Sequence, residues 1–174
     1  MAKGNILAML AGGDRRTIGR SGEVAAIVAK DARLFPQLIA GLWSEDPLLC
    51  MRAADAAEKV TREKPRWLPP YKKELLGLMA EAEQQELRWH LAAMIPRLPL
   101  NAWERRFAAS VLMSYLKDRS SIVKTFALQG LAELAANDPE MRLEVLELLR
   151  QATRRGTPAM KARSRKLLAR FDNP

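Results

Sequence analysis

A nucleophile activated by a histidine needs a hydroxyl or thiol within hydrogen-bond reach of an imidazole. The chain offers one histidine, His90, and one cysteine, Cys50. His90 sits in the run Leu87-Arg88-Trp89-His90-Leu91, where an imidazole is more often a structural edge residue than a base. No Gly-x-Ser-x-Gly turn accompanies it. One cysteine with one histidine also excludes an intramolecular disulfide and a Cys/His zinc cluster. Gly12-Gly13 lacks the Walker or dinucleotide surroundings of a phosphate cradle. Carboxylates such as Glu74, beside Lys72 and Lys73, and Glu104, beside Arg105 and Arg106, read as solvated helix charges. The chain therefore reads as non-enzymatic, with no cofactor and no metal.

Basic residues interleaved with aromatic ones offer a different chemistry, since together they grip phosphates and stack on bases. Residues 59–73 carry Lys59, Arg62, Lys64, Arg66, Lys72 and Lys73 around Trp67 and Tyr71. The plainer account has Trp67 and Tyr71 covering a hydrophobic junction while the cations stay in water. A second basic run, MKARSRKLLARF at 160–171, carries Arg163, Arg165, Lys166 and Arg170. The net charge of +9 is uneven: residues 150–174 hold 8 basic groups against 1 acid, whereas the other 149 residues hold 21 against 19. The whole-chain isoelectric point thus overstates how basic most of the protein is.

These residues must be carried by helices. Leu, Ala, Met, Glu, Lys and Arg dominate, and no period-2 alternation is sustained. Ser44-Glu45-Asp46-Pro47, Asn101-Ala102-Trp103-Glu104, Asn137-Asp138-Pro139-Glu140 and Thr157-Pro158 each join a capping side chain to an acid or proline of a first turn. Helices are predicted over roughly 4–12, 15–30, 33–43, 46–63, 70–80, 83–97, 102–117, 120–136, 139–154 and 158–171. Segments 49–60, 87–98, 123–134 and 160–171 superpose without gaps. Their first residues are Leu49, Leu87, Val123 and Met160, their fifth Ala53, Leu91, Ala127 and Ser164, their eighth Ala56, Met94, Gly130 and Leu167, and their last Val60, Leu98, Leu134 and Phe171. Positions 1, 5, 8 and 12 share one helix face, and a small fifth residue lets a partner helix approach.

This pattern, clearest in Val123-Lys124-Thr125-Phe126-Ala127-Leu128-Gln129-Gly130-Leu131-Ala132-Glu133-Leu134, resembles the second helix of a HEAT-like repeat. The resemblance implies an all-α, right-handed α-solenoid of about five HEAT-like helical hairpins in one domain over 1–174. The hairpins fall at 4–30, 33–63, 66–98, 101–136 and 139–171, with Gly19 and Gly22 weakening the first. It also implies a binding scaffold whose second helices line a concave surface.

Positions 3, 6 and 10 of those helices form a largely apolar strip. If it lies open, Met51, Trp89 and Leu128 make a groove for a protein or peptide partner, bordered by Arg52, Arg88, Lys124 and Lys161. If neighbouring repeats cover it, no such groove exists. The competing function is nucleic-acid binding through Arg163, Arg165, Lys166, Arg170, Lys64, Arg66, Trp67 and Tyr71. That reading extends to an alkylpurine DNA glycosylase-like activity, because those enzymes share HEAT-like repeats and place aromatic residues and an aspartate in a basic cleft. Trp43, Trp67, Trp89, Trp103 and Asp55 are the residue types available here. No apolar run reaches the roughly 20 residues of a membrane span, and the first 13 residues lack a secretory pattern. A cytoplasmic location and no membrane partner are expected.

Overall fold

The computed structural model describes residues 5–14 and 16–172. Among them every regular element is helical. The ten α-helices are α1 (Ile6–Leu10), α2 (Ser21–Lys30), α3 (Phe35–Ala40), α4 (Pro47–Glu63), α5 (Lys72–Glu81), α6 (Gln85–Met94), α7 (Ala102–Tyr115), α8 (Ser121–Ala135), α9 (Pro139–Arg155) and α10 (Pro158–Asp172). Short 3-10 turns flank α3, follow α6 and fill the proline-rich link between α4 and α5. The predicted helix starts at residues 4 and 15 lie outside the described residues. No helix among the described residues is long and apolar enough to cross a membrane.

The helix starts follow from the residues singled out in the sequence. Asp46 accepts from the Leu48 N–H ahead of Pro47, and Asn101 and Glu104 form a reciprocal capping box. Asp138 accepts from the N–H groups of Glu140 and Met141, and the Thr157 hydroxyl lies 3.4 Å from the Met160 nitrogen. Each satisfies amide donors that a helix start leaves unpaired.

Backbone contacts divide the chain into two compact units, Met1–Lys72 and Lys73–Pro174. In the first, α1, α2 and α3 all pack on α4. A side chain at Gly41 would place its Cβ 2.8 Å from that of Ala53, so the fifth repeat position here does admit a close neighbour. The described residues between α1 and α2, 11–14 and 16–20, form no regular element. Helix α2 begins at Ser21, and the described residues 16–20 before it are not helical: Gly19 has φ +53°, and a Cβ there would stand 2.8 Å from the Arg52 guanidinium carbon. That left-handed conformation ends any helical run and leaves no room for a side chain.

In the second unit α8 is the hub, packing against α6, α7, α9 and α10. Val123, Ala127, Gly130 and Leu134 are all buried, as the shared register requires. A Cβ on Gly130 would meet the Ala92 carbonyl oxygen at 2.8 Å and Leu112 Cδ1 at 3.0 Å. Position 8 of one segment therefore sits on position 6 of the segment before it. Two arginines knit the helix connections. Arg88 donates from Nε to the Ala82 carbonyl and from Nη1 to Asp118, while Arg105 joins Asp138 and the Leu100 carbonyl.

The same ion pairs give this unit a pH dependence. The Arg105 guanidinium, aided by the Met141 and Glu140 N–H groups and opposed by burial, holds the Asp138 carboxyl below its ordinary range. Burial pushes Asp118 up, but the Ser120 N–H, Arg88 and Lys124 outweigh it and leave that carboxyl lowered too. A carboxyl depressed on folding adds stability that is present above its unfolded pKa and lost as pH falls through the folded value. The thermal midpoint, followed by circular dichroism, should therefore begin to fall below about pH 4. Asp138→Asn keeps the α9 cap while weakening the ion pair, and should make that fall shallower.

Candidate functional site

Much of the strip at positions 3, 6 and 10 is buried. Met51 is 7% exposed and Leu128 2%, and Ala54, Ala92, Thr125 and Ala132 are buried with them. Of the groove expected from Met51, Trp89 and Leu128, Met51 and Leu128 are thus buried, and within the second unit Gly130 lies against Ala92, so position 6 of that segment is covered by the next. Trp89 is half-buried, and its indole N–H donates to His90 Nε2 at 3.2 Å. His90 Nδ1 lies 2.7 Å from the Glu86 carbonyl, so the proton resides on Nδ1 and both ring nitrogens are engaged. Cys50 is buried, and its thiol donates to the Leu42 carbonyl oxygen at 3.3 Å.

Two arginines of the expected basic border, Arg52 and Arg88, are engaged within their own units. Arg52 is 3% exposed and structural. Its Nη1 donates to the Leu10 carbonyl at 2.8 Å and to that of Gly12, its Nη2 to Asp14 at 3.0 Å, and both Nε and Nη2 to Thr17 at 3.4 Å. Arg88 stacks over the Tyr115 ring at 5.3 Å in addition to its Asp118 pair. Burial drives the Tyr115 phenol far above its usual pKa. Lys124 and Lys161 are half-buried.

Among the aromatic and basic residues of 59–73, Trp67 and Tyr71 pack on the buried Phe35 at ring distances of 5.4 and 5.8 Å. Trp67 and Tyr71 thus cover a hydrophobic junction, and Arg66 stays exposed beside them with Lys64 half-buried. Asp55 accepts from Ser21 and Lys59, a polar cluster in which the Ser21 side chain is fully buried. On α10, Arg163 lies over the Phe126 ring at 5.7 Å, whereas Arg165, Lys166 and Arg170 are exposed. Arg170, Arg142 and Phe171 border a small cavity of about 170 Å³ against the end of α8. Arg142 is occupied there, donating to the Phe171 carbonyl at 3.0 Å and lying over that ring. Among the described residues no group of three His, Cys, Asp or Glu is placed to hold a metal ion.

The surface that sequence reasoning missed is on the outer side of the second unit. Trp103 is 68% exposed and stacks on Phe107, ring centres 5.7 Å apart and planes 10° from parallel. One turn on, a groove of about 480 Å³ runs between α7 and α9 over Leu131 of α8. No family model, curated protein or solved structure matches this chain. The site is therefore defined by geometry alone: an aromatic ledge, a groove with Met113 and Met141 in its walls, and exposed Glu140 and Glu144 along one side. The spacing 103, 106, 110, 113 on α7 was the available signal, because those residues share one helix face.

Proposed function

We propose that this chain is a non-catalytic helical-repeat scaffold that binds a protein partner, built from HEAT-like hairpins of a right-handed α-solenoid. The repeat reading is supported within the second unit, where α6 packs on α8 and α8 on α10 in the shared register. The observation that carries the binding reading is the Trp103–Phe107 stack. A tryptophan held flat on a second ring and left open to solvent resembles the aromatic anchors that dominate interfaces. The partner surface is assigned to the outer face of α7, since the strip at positions 3, 6 and 10 is already filled. The commitments of His90 and Cys50 support the non-catalytic reading.

A second reading, contact with nucleic-acid backbone, is favoured by one specific observation. Arg165 and Lys166 are exposed and pair with no described carboxylate. One experiment separates the two: a photo-crosslinking side chain placed at Trp103 should capture a discrete protein, whereas one at Lys166 should not capture nucleic acid. The opposite pattern would replace the scaffold with a phosphate-binding protein.

A further inference from the structure

We infer that the groove between α7 and α9 is a docking site for a basic, amphipathic segment of another protein. This rests on the scaffold reading and names the chemistry of the partner. The groove is made from two different kinds of wall. Ala109 and Met113 on α7 face Met141 and Val145 on α9, with Leu131 beneath. Small side chains give it depth, and unbranched methionines adapt to whatever apolar residues enter.

The α9 wall is acidic. Glu140 and Glu144 line it one turn apart and outnumber the one cation of the described lining, Arg106; Glu147, further along, is paired with Arg154 at 3.4 Å, and Arg142 is turned away onto the Phe171 carbonyl. Asp138 is committed to Arg105 and to the α9 cap. Glu140 and Glu144 are not so committed. Glu140 reaches only Arg106, at 3.9 Å, and Glu144 makes no ion pair with any described residue. In a chain of net charge +9 this wall is a local negative field beside an apolar trough.

The Arg106–Glu140 contact also fixes which end of the groove lies near Trp103, one α7 turn before Arg106. An entering arginine or lysine there meets an exposed aromatic face and a carboxylate together. The complementary occupant has an apolar row to seat between Met113 and Met141 and cations flanking it. Nucleic acid has the wrong charge for Glu140 and Glu144. A second copy's α10 offers cations, but Ser164 and Leu167 on its apolar face are already buried, so it has no free row to insert.

The test uses the full chain and a fluorescent synthetic helix-forming peptide with a Leu/Met row flanked by Lys and Arg, beside a twin in which Glu replaces each cation. The basic peptide should bind about tenfold or more tighter than its twin, and Glu140→Lys/Glu144→Lys should remove about tenfold of that affinity. Both glutamates are exposed, so the variant should keep its circular dichroism spectrum and melting temperature. A matched reversal elsewhere, Glu45→Lys/Glu81→Lys, should leave binding unchanged. Equal binding of the two peptides, binding indifferent to Glu140→Lys/Glu144→Lys, or no binding of the basic peptide overturns the assignment. The scaffold reading fails separately, by capture of no protein at position 103. If a protein is captured there through an acidic or neutral segment, the scaffold stands and the basic occupant does not.

Discussion

Arg52→Ala is expected to release residues 11–14 and 16–20 and to cost about 3–5 kcal/mol of stability, as breaking a buried charge network does. The five guanidinium N–H groups serve four backbone carbonyls, that of Leu10 at the end of α1 and those of Gly12, Asp14 and Thr17, which belong to no regular element. Alanine leaves those carbonyls to find water or stay unpaired, at about 1–3 kcal/mol for each that remains buried. It also removes the plane on which Gly19 rests. Lysine retains the charge but gathers its donors on one nitrogen, so Arg52→Lys should recover only part of the loss. Amide hydrogen exchange over residues 5–30, read beside urea unfolding, checks this. Exchange unchanged by Arg52→Ala would show that the segment holds itself.

The second large effect is steric and lies in the other unit. Gly130→Ala should destabilise by about 1–3 kcal/mol through overpacking, although alanine is the better helix former by about 1 kcal/mol. The new methyl would stand 2.8 Å from the Ala92 carbonyl and 3.0 Å from Leu112, so α8 must back away from α6. Gly77 on α5 supplies the control, because a Cβ there meets nothing within 4 Å. Gly77→Ala should therefore stabilise by about 0.5–1 kcal/mol through propensity alone. Thermal melts of the two variants should move in opposite directions. Stabilisation by both would mean that the α6–α8 contact is not tight.

What the sequence made legible was whatever a few neighbouring residues decide. Asp46, Asn101, Asp138 and Thr157 announce their helices because capping is a local act. The buried face of α8 was legible too, since Val123, Ala127, Gly130 and Leu134 repeat a pattern present in other segments. The start of α2 was misplaced because the break at Gly19 depends on Arg52, 33 positions away in the chain. The strip was ambiguous for a related reason. Ala92 and Leu128 suit an open groove or a covered one equally, and only the position of the next helix decides between them. Trp103 and Phe107 resemble core residues in any helical pattern, and the exposure of Trp103 appears only when the outer side of α7 is seen.

The central claim is that a protein partner engages the outer face of α7. Its most direct test is site-specific photo-crosslinking in cells, with a benzophenone amino acid replacing Trp103 in one strain and Lys166 in another, followed by nuclease treatment and mass spectrometry. One reproducible, nuclease-resistant protein adduct is expected from position 103 and no matching adduct from position 166. A nuclease-sensitive adduct at 166, with nothing captured at 103, would contradict it.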